Sequence, residues 1–166
     1  MAELIRRSPL TIELVPSTCW YSNVRTNVTK ADWEVCKRFV RARSKDRCEI
    51  CGGRGPRWPV ECHEVWSYDD ETQMQKLEGL IALCPACHQV KHIGRTSTVG
   101  GVEALAQSIK HLCQVNYWSP ERAEKAIKIA FEIHEIRSTW QWQLDIDYLQ
   151  QLGIKTNLQR LMEPRK

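Results

Sequence analysis

The chain contains no apolar run close to the roughly 20 residues that a membrane-spanning helix requires. Its opening stretch, MAELIRRSPLTIELVP, lacks an apolar run of signal-peptide length ahead of a small-residue cleavage site. A soluble, cytoplasmic protein with no membrane partner is expected. There is no internal repeat and no low-complexity tract, which argues against a solenoid or a disordered polymer. A large excess of one charge is missing too. A net charge of +4 over 166 residues points only weakly to a polyanionic partner and falls short of an obligate DNA binder.

Cysteine is plentiful by contrast. Eight residues of this type occur, and four of them form two C-x-x-C pairs. Without a signal peptide, metal binding is a better account of such pairs than a disulfide framework. Each pair lets two thiolates reach one ion from a single tight turn. Cys48 with Cys51 and Cys84 with Cys87 together complete a tetrahedral zinc site. Four thiolates leave no open position, so this zinc is structural. Cys19, Cys36, Cys62 and Cys113 lie scattered and are expected to be small buried hydrophobes.

The stretch CPACHQVKH, residues 84–92, adds two histidines that such a zinc does not need. His88 and His92 stand four apart, so on a helix their rings share a face. A third histidine, His63, lies in the strand-like VECHEVW beside Glu64. Three imidazoles from a strand and a helix could hold one divalent ion and leave positions for water or a phosphate oxygen. The competing interpretation is an ordinary zinc ribbon with histidines nearby.

Hydrophobic residues make up 42% of the chain, enough for one modest core with appended segments. A helix is predicted from a cap at Thr29, with Asp32 in the capping-box position, to about Ser44. It carries Lys37, Arg38, Arg41, Arg43 and Lys45 towards the first cysteine pair. That cluster suits a phosphate backbone, or else is a solvated face. Residues 48–66 read as a knuckle followed by a β-hairpin, SYDDETQMQ as a polar loop and LEGLIALC as a short apolar segment. HQVKHIG should be a short helix stopped by Gly94, followed by a flexible GRTSTVGG. Beyond it, VEALAQSIKHLCQVN and SPERAEKAIKIAFEIHEIRSTW are helical, the second capped by Ser119 with Pro120 at its first position. WQWQLDID alternates like a strand, and YLQQLGI closes with a helical turn. The expected class is α+β, organised as an N-terminal extension and basic helix (1–46), a metal-bearing core (47–95) and a mostly helical C-terminal region (101–166) packed on the core.

The run from Cys48 to His92, through CEICGG, VECHEVW and LEGLIALCPACHQVKH, resembles the HNH (ββα-metal, His-Me finger) endonucleases, in their zinc-stapled branch with paired knuckles. The resemblance implies a small core of β-hairpin and helix around one divalent ion, magnesium or another. It also implies metal-dependent hydrolysis of nucleic acid, with DNA the expected polymer and a 3′-hydroxyl and 5′-phosphate as products. His63, His88 and His92 would then hold the ion, with His63, Glu64 and His88 as the catalytic set. In that register Glu64 takes the general-base position; shifting by one makes His63 the base and turns Cys62 to the ion. The family's middle asparagine falls on Gly79, so its bracing role would pass elsewhere, to Asp69 or Asp70. A nuclease fold that only binds nucleic acid is the alternative. Seven tryptophans against two phenylalanines suggest mainly core filling, with Trp58 and Trp66 the candidates for base contact. His111 and His134 fall on helical patterns as ordinary helix residues. Nothing in the sequence points to an oligomeric state.

Overall fold

The computed structural model of the chain describes residues 10–162; residues 1–9 of the predicted N-terminal extension and 163–166 of the C-terminal region lie outside the described residues. An extended segment leads to helix α1 (Val24–Asn27), which Asn23 caps by accepting the Thr26 N–H. Helix α2 (Lys30–Ser44) begins at the predicted capping box. Thr29 Oγ1 accepts the Asp32 N–H at 3.2 Å, and the Asp32 carboxylate accepts the Thr29 N–H. Cys36 and Val40 are fully buried on its apolar face, with Trp33 and Phe39 beside them.

Strands β1 (Glu61–Asp69) and β2 (Met74–Leu83) form an antiparallel hairpin, and β3 (Gln143–Asp145) joins β2 in parallel. The hairpin is longer than the sequence suggests. SYDDETQMQ, expected as a loop, supplies Ser67 to Asp69 to β1 and Met74 and Gln75 to β2. Tertiary packing overrides local polarity here: Tyr68 stacks edge-on against Trp142, and Gln75 is buried. The turn between them is closed by Asp69, whose side chain accepts the Glu71 and Thr72 N–H groups. The Gly- and Pro-rich residues after Cys51 remain irregular instead of forming a hairpin of their own.

Period-two alternation assigns the two faces of β1 to different cores. Cys62 and Glu64 stand opposite Ala82 and Leu80, on the face covered by α2. Ile146, Leu149 and Ile154 return from the C-terminal part of the chain to complete that first core. Glu61 and His63 stand opposite Leu83 and Ile81, on the other face. There the second core gathers Leu10, Cys48, Leu83, Cys84, Cys87, Val90, Leu112 and Ala123.

Helix α3 (Pro85–Lys91) follows β2 directly, with proline at its first position. Gly94 does not end the helical path, as it was expected to. After a break at His92 (φ −102°, ψ 39°) the chain continues as α4 (Ile93–Val99), so GRTSTV is helical. Gly94 serves packing instead: a β-carbon there would sit 3.2 Å from the Leu14 side chain. Helices α5 (Gly101–Asn116) and α6 (Pro120–Arg137) complete this side, α6 with Ser119 and Pro120 as predicted. Helix α7 (Asn157–Leu161) is the last element, and no helix among the described residues is long and apolar enough to cross a membrane.

Candidate metal centres

Cys48 and Cys51 sit on a tight turn held by its own backbone. The Gly52 N–H donates to Cys48 O and the Cys48 N–H to Gly53 O, both at 2.9 Å, and the Gly53 N–H reaches Cys51 Sγ at 3.4 Å. Gly52 has φ +73°, a conformation that disfavours a side chain. Cys84 and Cys87 lie at the start of α3. The four sulfurs all fall within 4.8 Å of one another, with Cys51 and Cys84 3.6 Å apart. Tetrahedral Zn–S bonds of about 2.3 Å would separate thiolates by about 3.8 Å. The four cysteines thus could bind a metal such as zinc. Hydrogen bonds from Cys84 and Cys87 push the Cys48 thiol far down, while their own thiols are pushed up. A divalent ion held by the four sulfurs would resolve that competition by displacing the protons.

A second cluster lies beside the first. His63 on β1, His88 on α3 and His92 at the helix break also bring their ring nitrogens within 4.8 Å of one another. Ring centroids are 5.3 Å apart for His63 and His88, 5.0 Å for His63 and His92, and 4.6 Å for His88 and His92. Burial, reinforced by His88 and His63, pushes His92 down to about 3, and burial lowers His88 as well. Both shifts favour the neutral rings, whose lone pairs are available to a cation.

Carboxylates back two of these rings. Glu61 contacts His88 Nδ1, and its other oxygen accepts the Trp58 indole N–H at 2.8 Å. Glu13, from the extended segment, lies 2.9 Å from His63 Nε2 and also engages the buried Lys91 ammonium. Burial alone would raise the Glu13 carboxyl; hydrogen bonds and charge from His63 and Lys91 hold it below its ordinary value. A histidine whose second nitrogen is tied to a carboxylate has the usual arrangement of a metal ligand. The donor chemistry fits a transition ion such as zinc, nickel or copper. It does not fit magnesium, which prefers oxygen ligands.

Other expected site residues go elsewhere. Glu64 points to the opposite face of β1, where it accepts the Val24 N–H at 3.0 Å and the Trp66 indole N–H at 3.2 Å. It is not placed to act as base at the histidines, because adjacent strand residues face opposite ways. Cys62 is turned away for the same reason, and burial pushes its thiol up to about 12. Asp70 forms a bidentate pair with Arg137, so neither it nor the turn-capping Asp69 braces the cluster. Gly79 sits at the bulge between β1 and β2, opposite Val65.

The basic residues of α2 lie on the sheet face opposite the histidines, and several are already paired. Lys37 meets Glu34, Arg41 meets Asp46, and Arg43 grips Glu49 and the Leu80 carbonyl. Arg38 and Lys45 have no ion-pair partner among the described residues. Helix α2 packs on the Cys62 and Glu64 face of β1, away from the three histidines.

Sequence reasoning did not single out Glu13, Glu61, Lys91 or Arg95. Glu61 was accessible in principle, two residues before His63 on an alternating strand. Arg95 follows on α4, near enough to His88 and His92 for its charge to oppose their protonation. Glu13 is distant in sequence and left no local signal. His111, expected as an ordinary helix residue, places Nε2 3.1 Å from Cys87 Sγ and so borders the cysteine cluster. No family model, curated protein or solved structure matches the chain.

Proposed function

We propose that the chain is a metal-dependent phosphodiesterase of the HNH type, acting on nucleic acid. The observation that carries this reading is the meeting of His63, His88 and His92 beside a separate four-cysteine cluster. The sulfurs would hold a structural zinc. The imidazoles would hold a transition ion, which when bound supplies Lewis acidity towards a phosphodiester and a more acidic water. The chain's own residues supply orientation. Glu61 fixes the His88 ring and Glu13 the His63 ring, while Arg95 offers an exposed cation to a phosphate oxygen. Trp58, half exposed and tethered to Glu61, is the candidate for stacking on a base.

The test is incubation of zinc-loaded protein with duplex DNA, single-stranded DNA and RNA in zinc, nickel, manganese and magnesium. Cleavage is expected with a transition ion, leaving 5′-phosphates, and loss of cleavage in His88→Ala. No cleavage of any polymer in any metal would overturn the reading.

The position of Glu64 favours a second reading, a zinc-stabilised module that binds nucleic acid without cutting it. No strand carboxylate neighbouring His63 in sequence reaches the cluster from the family's base position. Salt-sensitive binding that survives loss of His63 and His92, with no cleavage, would select this alternative.

A further inference from the structure

Lys91 is 4% exposed, and its ammonium donates to Thr11 Oγ1 at 2.7 Å and to Glu13 Oε1. A lysine this buried is unusual and is costly unless its charge is answered. Glu13 answers it with one oxygen and turns the other to His63 Nε2 at 2.9 Å. The backbone repeats the link, since the Glu13 N–H donates to Lys91 O at 3.2 Å. Lys91 lies between His88 and His92 in sequence, so it anchors the extended segment at Thr11 and Glu13, a strap across this face, to the helix that carries His88 and leads to His92.

We propose that Glu13 is a positioning residue of the histidine centre, locked by Lys91 so that its free oxygen fixes the tautomer of His63. This rests on the metal-binding reading of the three histidines. A carboxylate oxygen can only accept, so in the neutral ring the His63 proton sits on Nε2 and the lone pair is left on Nδ1 for an ion. Lys91 can only donate, which holds Oε1 and prevents the carboxylate from turning away. The consequence for organisation is direct: residues 47–95 alone do not contain the complete centre, because the strap at Thr11 and Glu13 supplies part of it.

Glu13→Gln is the sharp variant because size is kept and only the pattern of donors changes. Lys91 commands the amide oxygen, so the amide NH₂ faces His63 Nε2. That nitrogen must then accept, the proton moves to Nδ1, and the ion loses a ligand. Adding Lys91→Met frees the amide to turn its oxygen towards His63. Thr11 Oγ1, 3.4 Å from Glu13 Oε1 in the wild type, is then at hand to accept the amide N–H. The double variant should therefore recover what the single variant loses, whereas two merely structural lesions would add.

The experiment titrates cobalt into full-length protein whose cysteine site is already loaded with zinc. Ligand-field bands report the histidine centre, and sulfur-to-cobalt charge transfer reports any exchange at the cysteines. Nitrogen NMR of the His63 ring reads its tautomer with and without cobalt, and thermal melting checks folding. The expected result is about a 10–100-fold loss of cobalt affinity in Glu13→Gln, recovered largely by the double variant. The His63 proton should sit on Nε2 in the wild type and on Nδ1 in the single variant. Unchanged affinity and tautomer in a folded Glu13→Gln protein would overturn the proposal, as would a double variant weaker than the single one. If Glu13→Gln does not fold, a wild-type His63 carrying its proton on Nδ1 overturns it alone. A wild type that takes no cobalt at the histidines defeats the metal reading, while the tautomer measurement still decides the role of Glu13.

Discussion

Two neighbouring residues of β1 show how far one strand position can separate chemical roles. His63 faces the strap and the helical histidines, whereas Glu64 is packed among the residues beneath α2. Burial pushes the Glu64 carboxyl from its ordinary 4.5 up to about 7, against the hydrogen bonds from the Val24 N–H and the Trp66 indole. The proton is therefore held more tightly in the folded chain than in the unfolded one. Stability from this group is complete below the unfolded value of 4.5 and is lost as pH rises through about 7. A Glu64→Gln protein has no such titration. Denaturant unfolding between pH 5 and 8 should show the wild type losing on the order of 3 kcal/mol relative to this variant across that window. Parallel profiles would mean that Glu64 is ionised and solvated in the folded protein.

At the scale of elements, signals contained within one turn of chain were legible. The cysteine pairs, the capping box at Thr29 and the Ser119-Pro120 helix start each depend on residues a few positions apart, and each forms as its spacing suggests. The pairing of His88 with His92 was legible by the same helical rule. What was not legible depends on partners brought from a distance. The ends of β1 and β2 pack through Tyr68 on Trp142, and α4 lies close against Leu14 at Gly94. Glu13 reaches His63 across the fold, so neither end of that contact advertises the other. The cap at Thr29 also tests whether the two sheet faces are independent. Thr29→Ala removes an acceptor from the first turn of α2 and should cost about 1 kcal/mol in denaturant unfolding. Helix α2 lies on the face away from the histidines, so cobalt affinity there should be unchanged. A parallel loss of affinity would mean that α2 supports the histidine centre after all.

For the molecule as a whole, the sharing of α3 by the two clusters predicts a one-way dependence between them. Cys48, Cys84 and Cys87 belong to the second core, packed with Leu83, Val90 and Leu112. Cys84 and Cys87 also open α3, the helix that presents His88, Lys91 and the path to His92. A structural zinc can contribute about 10 kcal/mol or more to a small fold, comparable with the entire stability of a typical domain. Losing it should release α3 and scatter the imidazoles with it. The cysteine turn is held by its own backbone bonds and by the Glu49 N–H donating to Ala82 O on β2, and none of these bonds involves a histidine. Cys84→Ser should therefore lose its zinc, its cooperative melting transition and cobalt binding at the histidines together. His92→Ala should keep one tightly held zinc per chain and melt close to the wild type, while cobalt binding at the second centre falls away. Metal analysis alongside cobalt spectra separates the two outcomes. A Cys84→Ser protein that still binds cobalt through its histidines with full affinity would show that the hairpin and strap can hold that centre without the sulfur-bound ion.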